Sequence, residues 1–328
     1  MDNSDELHDD SWSIAYSIVN AHARIPQSLP HLIRACWNDL VTPTHFVRLL
    51  GSPGLPLRSL LRAANVPQSD ETIKQPELTA AVDVLGVKAS SLILAISSIC
   101  EGTLDSGPAT RIWSPLFKEM MSEIEIGYHL GSSLHQVGHE QGMLVGFSRL
   151  AGLVMLLVSN PKTFSTWYEK TKGVVEDSHS MTRTFGCEPY QVSSALMQYL
   201  GLGTEVALAT ASTLSDSDTT FVELKPTMQT WRATYHWLQA LKNGKDSPDC
   251  EVARAAFAEL QPIDGSPESL EHLSMLREQI SQVRQGHSLW TWHLPYPTYE
   301  ETAKAIVYRV NSNGSGTTWT KGLVHAGR

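Results

Sequence analysis

The sequence predicts an all-α fold. Three observations carry that expectation. Apolar residues recur every three or four positions along most of the chain, Gly- and Pro-rich pieces separate these periodic stretches, and two of the stretches open on a proline suited to a first helical turn.

The elements follow in order. Ser11–Ala23 places Trp12, Ala15, Tyr16, Val19 and Ala23 at helical spacing, and Leu29–Leu40 is a second helix. Thr44–Asn65 reads as two short helices split by Gly51-Ser52-Pro53-Gly54. Pro76–Cys100 supplies two more, broken near Gly86, and Gly102–Arg111 is a loop by composition. Ser114 can cap a helix whose first position is Pro115, with Leu116, Phe117, Met120, Met121 and Ile124 as its apolar face, running to Leu134. The next helix spans Glu140–Val158 and stops at Asn160-Pro161; another covers Lys162–Thr171. A polar segment then leads to a helix that starts at Pro189 and ends at Gly201. Leu214–Thr220 is a linker by composition, and Met228–Lys242, Glu251–Leu260 and Ser269–Arg284 are helical. The end of the chain (Ala303–Val310, a Gly/Ser/Asn piece, then Thr317–Val324) fits a hairpin or a helix with a frayed tail.

A chain of 328 residues makes one large or two ordinary domains, and 41% hydrophobic with 18% charged residues suits a globular protein. The net charge of −9 argues against a general affinity for nucleic acid or anionic membrane and leaves room for a local basic patch. Cys36, Cys100, Cys187 and Cys250 are scattered, with no CxxC pair and no zinc-finger spacing, which fits a reducing cytoplasm. The opening MDNSDELHDD is acidic and has no apolar core of a signal peptide. The most membrane-like run is LVGFSRLAGLVMLL (Leu144–Leu157), but its 14 residues, interrupted by Arg149, fall short of the ~20 a spanning helix needs. It reads as a buried core helix, and the question it poses is why it holds an arginine.

Five segments resemble the HDOD domain family in family order. IPQSLPHLIRA (Ile25–Ala35) is similar to its LPxLP opening. LLGSPGLPLRSLLRAAN (Leu49–Asn65) and AVDVLGVKASSLILAIS (Ala81–Ser97) resemble its next two helical motifs. EQGMLVGFSRLAGLVMLL (Glu140–Leu157) resembles "ExAFLAGLLHDIGKLVLL", and FGCEPYQVSSALMQYLGL (Phe185–Leu202) resembles "FGxDHxEVGAxLLxxWxL". The resemblance spans about residues 10–212. It implies an HD-like helical bundle related to metal-dependent phosphohydrolases, which hold metal through histidines and a His-Asp pair. Here the His-Asp pair falls on Arg149-Leu150, and two further family histidines fall on Pro115 and Pro189; near Thr213 there is no histidine either. The resemblance therefore implies a kept scaffold without its metal ligands, no cofactor, and the regulatory or signalling role associated with HDOD proteins in bacteria.

Each candidate residue has a sharp and a bland reading. Arg149 is either an anion-binding residue in the vestigial pocket, or a structural arginine paired with Glu123 or Glu125, since an unpaired buried charge is costly. His135, His139 and Glu140 (in HQVGHE) would make a metal set if helical, but the surrounding glycines and serines suggest a loop. Trp290 and Trp292 belong to an aromatic, proline-containing run with His287 and His293 that is either a partner surface or a loop folded over an apolar groove. Trp113 is a core aromatic, or with Arg149 part of a ligand site. No phosphate loop, dinucleotide fingerprint or nucleophile elbow occurs.

The expected organisation is an HDOD-like helical domain at residues 1–215 with a mainly helical extension at 216–328. The expected function is non-catalytic regulation or scaffolding through a protein partner or small signalling ligand. The rivals are a divergent metal-dependent phosphohydrolase using His135, His139 and Glu140, and a sensor that reads an anionic nucleotide through Arg149. The extension carries a periodic stripe (Met228, Trp231, Tyr235, Trp237, Leu238) that a lone helix pair cannot bury, so it is expected to pack on the bundle or on another copy. The sequence leaves the oligomeric state open.

Overall fold

The computed structural model describes residues 3–22, 25–37, 40–51, 55–64, 66–67, 72–101, 110–171, 178–214, 224–260 and 267–286. All of the regular structure there is helical, and no strand occurs among the described residues. The first lobe comprises α1 (Asn3–His22), α2 (Ser28–Trp37), α3 (Pro43–Leu49), α4 (Leu57–Ala63), α5 (Gln75–Leu85) and α6 (Val87–Glu101). Thr42 caps α3 by accepting from the His45 N–H at 3.3 Å, with Pro43 in the first position, where its missing donor costs nothing. Gly86 separates α5 from α6 with φ of 80°, a conformation that favours glycine.

The centre is an antiparallel pair, α7 (Thr110–Ser132) and α8 (Gly138–Ser159). Around it lie α9 (Pro161–Lys170), α10 (Ser178–Phe185), α11 (Pro189–Tyr199) and α12 (Thr204–Leu214). α11 packs on α8, α12 on α11, and α1 bridges α11 and α8. The Tyr16 hydroxyl donates to Gln198 Oε1 at 2.6 Å and Gln191 Nε2 donates to Ser11 Oγ at 2.8 Å, which pins α1 to α11. The last part holds α13 (Pro226–Lys242), α14 (Glu251–Ala255), a 3₁₀ turn (Ala258–Leu260) and α15 (Pro267–Arg284).

Of the two placements open to the stripe, the bundle or another copy, the structure shows the bundle. α13 lies on α12, α7 and α8, and α15 lies on α7 and α13. Trp231 and Trp237 are each 2% exposed, and one hydrophobic cluster runs from Ala15 in α1 to Val283 in α15. α8 is long and apolar enough to cross a membrane, but 83% of its apolar window is buried inside the protein, as the core-helix reading expects.

Three expectations need correction. The helix expected to start at Pro115 begins at Thr110, and Pro115 lies inside it. Ile112 is the reason: with Leu116, Met120 and Ile124 it forms a buried stripe at four-residue spacing, so one further turn gains core contact that outweighs the hydrogen bond Pro115 cannot make. The polar segment after Thr171 contains a helix, α10, anchored by the fully buried Met181. The single helix expected over Glu251–Leu260 is broken into α14 and the 3₁₀ turn. The Ala253 carbonyl that a continuous helix would give to Phe257 instead accepts the Trp237 indole N–H at 2.8 Å, while Phe257 and Leu260 turn into the core.

Candidate functional site

The site around Arg149 is made possible by glycines. A Cβ on Gly127 or on Gly142 would overlap the other's carbonyl, and one on Gly146 would overlap the Glu123 backbone. The two helices therefore meet backbone to backbone, with 142 against 127 and 146 against 123. Continuing that antiparallel register by one turn sets Arg149 opposite Glu123 and Glu119, which are four residues apart on one face of α7.

Arg149 uses this placement fully. Its Nε donates to both carboxylate oxygens of Glu123 at 2.9 Å, and its Nη2 donates to Glu123 Oε1 at 2.6 Å and to Glu119 Oε1. A second cation comes from α13: Lys242 Nζ donates to Glu119 Oε1 at 2.6 Å and to Glu123 Oε1. Glu123 is fully buried, the Arg149 and Lys242 side chains are about four-fifths buried, and Glu119 is 41% exposed. Two cations thus neutralise two carboxylates at a seam between α7, α8 and α13.

Burial alone would push the Arg149 guanidinium toward the neutral form, but the hydrogen bonds and charge of Glu123, with Glu119 behind it, raise its pKa further above the usual range. For Glu119, burial raises the carboxyl, while the Lys242 hydrogen bond and the two positive charges hold it below its ordinary value. Arg149 is thus paired inside the bundle, with Glu123 as one of the two partners foreseen. Glu125 is the other candidate, and it lies instead toward His129, at 3.9 Å. Glu119 and Lys242 were missed. Glu119 could have been found as the residue one helical turn before Glu123; Lys242 carries no local signal.

The other predicted residues do not join this cluster. His135 sits in the turn before α8, largely exposed, and pairs through Nδ1 with Glu259 of the 3₁₀ turn. His139 opens α8 and its Nε2 lies 3.2 Å from Glu140. The metal set of His135, His139 and Glu140 is therefore not assembled, because only the last two are on a helix and His135 turns to a different element. Among the described residues, no three His, Cys, Asp or Glu side chains are grouped to hold a metal ion. Pro189, where the resemblance places a family histidine, opens α11, and its carbonyl contacts Gly152 three residues beyond Arg149. Trp113 belongs to α7, but its side chain lies outside the described part of the structure, as do Trp290 and Trp292 altogether. Burial pushes the Cys36 and Cys187 thiols up to about 12, which makes both unreactive at neutral pH.

No family model matches the chain, and no curated protein matches it. A solved structure does: the crystal structure of an HDOD domain protein of unknown function from Geobacter sulfurreducens, at 15% identity and a TM-score of 0.51. The match covers 92% of this chain and 94% of that one. At that identity the likeness establishes the fold alone: this chain has the all-α fold of an HDOD domain protein.

Proposed function

We propose that the chain is a non-catalytic regulatory or scaffolding protein of HDOD type, acting in the cytoplasm through a protein partner or a small signalling ligand. The observation that carries this reading is the ion cluster. The resemblance puts the histidine of a metal-binding pair at Arg149, and the two acidic side chains beside it are neutralised by Arg149 and Lys242. A guanidinium cannot ligate a cation, and it does not deprotonate to become a ligand. Hydrolysis of a phosphate ester in an HD-type site needs a metal to acidify water and steady phosphoryl charge, so a site filled in this way supports binding in place of turnover. The same cluster weakens the idea of Arg149 as the reader of an anionic nucleotide, because its donors face Glu119 and Glu123. Buried cysteines of high pKa suit the reducing compartment included in the proposal.

The test is an assay of the purified full chain with cyclic dinucleotides, nucleotides and aryl phosphates, each with added manganese, iron or magnesium. No turnover above the blank is expected. Turnover that survives repurification and is lost in Glu123→Gln would overturn the proposal.

A further inference from the structure

A different part of the molecule has the chemistry that the Arg149 seam lacks. Helices α9 and α10 border a cleft of about 470 Å³ lined by Lys162, Thr166, Trp167, Lys170, Ser180 and Thr184, among others. That volume is within the roughly 300–1,000 Å³ common for small-molecule sites. On α9, Lys162, Thr166 and Lys170 follow one another at four-residue spacing and so share a face. Both lysines are exposed. Among the described side chains of α9 and α10, Arg183 adds a third cation and Glu169 is the one carboxylate. Over residues 161–185 the sequence carries four Lys and Arg against three Asp and Glu, a slight positive balance of one in a chain of net charge −9, and charges farther than about 8–10 Å away are largely screened in salt.

The hydroxyls narrow the ligand further. Thr166 donates its hydrogen to the Lys162 carbonyl at 3.0 Å, and Thr184 donates to the Ser180 carbonyl at 2.7 Å. Their hydrogens are spent, so what these oxygens still offer is acceptance. A bare inorganic anion has little use for acceptors. A ligand that combines an anion with hydroxyl donors uses both kinds of group. Trp167 is 4% exposed and its indole N–H donates to Ser180 Oγ at 2.9 Å, so the described lining offers almost no aromatic face on which a base could stack. The two lysines are separated by about 12 Å along the helix at 1.5 Å per residue, so they flank the cleft and favour anionic groups at two points.

We propose that the α9–α10 cleft binds a phosphorylated sugar, with Lys162 and Lys170 taking the phosphate esters and the Thr166 and Thr184 oxygens accepting from the sugar hydroxyls. This holds whether or not the Arg149 seam is catalytically silent, since the two places share no residue.

The experiment is isothermal titration of the full chain with fructose 1,6-bisphosphate, with fructose and inorganic phosphate as separate arms. Saturable binding of the bisphosphate is expected, about tenfold or more tighter than inorganic phosphate, with no measurable binding of fructose. The double variant Lys162→Gln/Lys170→Gln, at two exposed positions and checked for an unchanged thermal melt, should weaken binding by about tenfold or more. Thr166→Val should narrow the gap between the ester and inorganic phosphate. Absence of saturable binding up to about 10 mM, equal affinity for the ester and inorganic phosphate, or an unchanged affinity in the lysine double variant would overturn the proposal.

Discussion

Helices α8 and α13 each deliver one cation to the same two carboxylates, yet the two are very different places in the sequence. α8 is apolar on nearly every side, with all residues from Gly142 to Leu157 buried except Arg149. A charge there is an anomaly that demands a partner, because burying one unpaired is costly. α13 is amphipathic, and Lys242 in its last turn is what any such helix would carry toward its negative end. A buried charge is therefore legible where its surroundings contradict it and silent where its surroundings would have predicted it anyway. The contacts reflect this: Lys242 is separated from Glu119 by 123 residues, whereas Arg149 reaches back across a single helical hairpin.

The largest effect is expected from removing the anomalous cation. Arg149→Ala leaves Glu123, which is fully buried, with only Lys242 for neutralisation. Removing one partner of a buried ion pair costs roughly 3–5 kcal/mol. The urea midpoint of the variant should fall accordingly, with the slope unchanged. A variant as stable as the parent would mean that Arg149 is not structural, and its anion-reading role would return. The cluster as a whole need not add stability, since well-packed apolar groups can do as well; its effect is to fix which turn of α8 faces which turn of α7.

Legibility followed the same logic across the fold. α9 and α11 were readable because Asn160-Pro161 ends the apolar run of α8 and Pro189 suits a first helical position, each in agreement with the stripe behind it. At α7 the Ser114-Pro115 signal conflicted with the stripe, and the stripe prevailed through Ile112. α10 was invisible because its sequence, SHSMTRTF, puts one fully buried residue, Met181, among polar ones, too little for a period to show. In the candidate site, Arg149 and Glu123 were foreseen and Glu119 and Lys242 were not. Long-range pairing leaves no mark on local sequence. The lysines and threonines of the α9–α10 cleft were overlooked for a related reason: on an exposed helix face they look like ordinary solvated residues until a second helix closes the other side.

A smaller effect is expected from the cation of α13. Lys242→Ala removes the unremarkable cation, whose side chain is 21% exposed, and should cost about 1–2 kcal/mol, between the range for a charged hydrogen bond and that for a surface pair. The informative quantity is the coupling to Arg149. With one cation gone the other still offsets part of the Glu123 charge; with both gone nothing does, and two carboxylates are left four residues apart. The double variant should therefore lose more than the sum of the singles, by roughly 0.5–3 kcal/mol. Strict additivity in a double-mutant cycle would show that α8 and α13 do not share a site, and would dissolve the comparison.

The smallest effect tests the carboxylate at the rim. Glu119 is held below its ordinary pKa of 4.5; burial opposes this, but the Lys242 hydrogen bond and the charges of Arg149 and Lys242 outweigh it. A carboxyl whose folded pKa is depressed adds stability above the unfolded pKa, and that contribution is lost as pH falls through the folded pKa. Below about pH 4.5 the wild type should thus lose stability with a slope that includes Glu119, and Glu119→Gln should show a shallower decline over the same interval. The slopes are the quantity to compare, because the variant also loses its ion pair at neutral pH. At 41% exposure the group is well screened by solvent, so added salt should shrink the difference between the two slopes. Urea midpoints measured from neutral pH down into the acid range, at low and high salt, provide the check. Parallel declines would show that Glu119 is a bystander and that Arg149 and Lys242 meet at Glu123 alone.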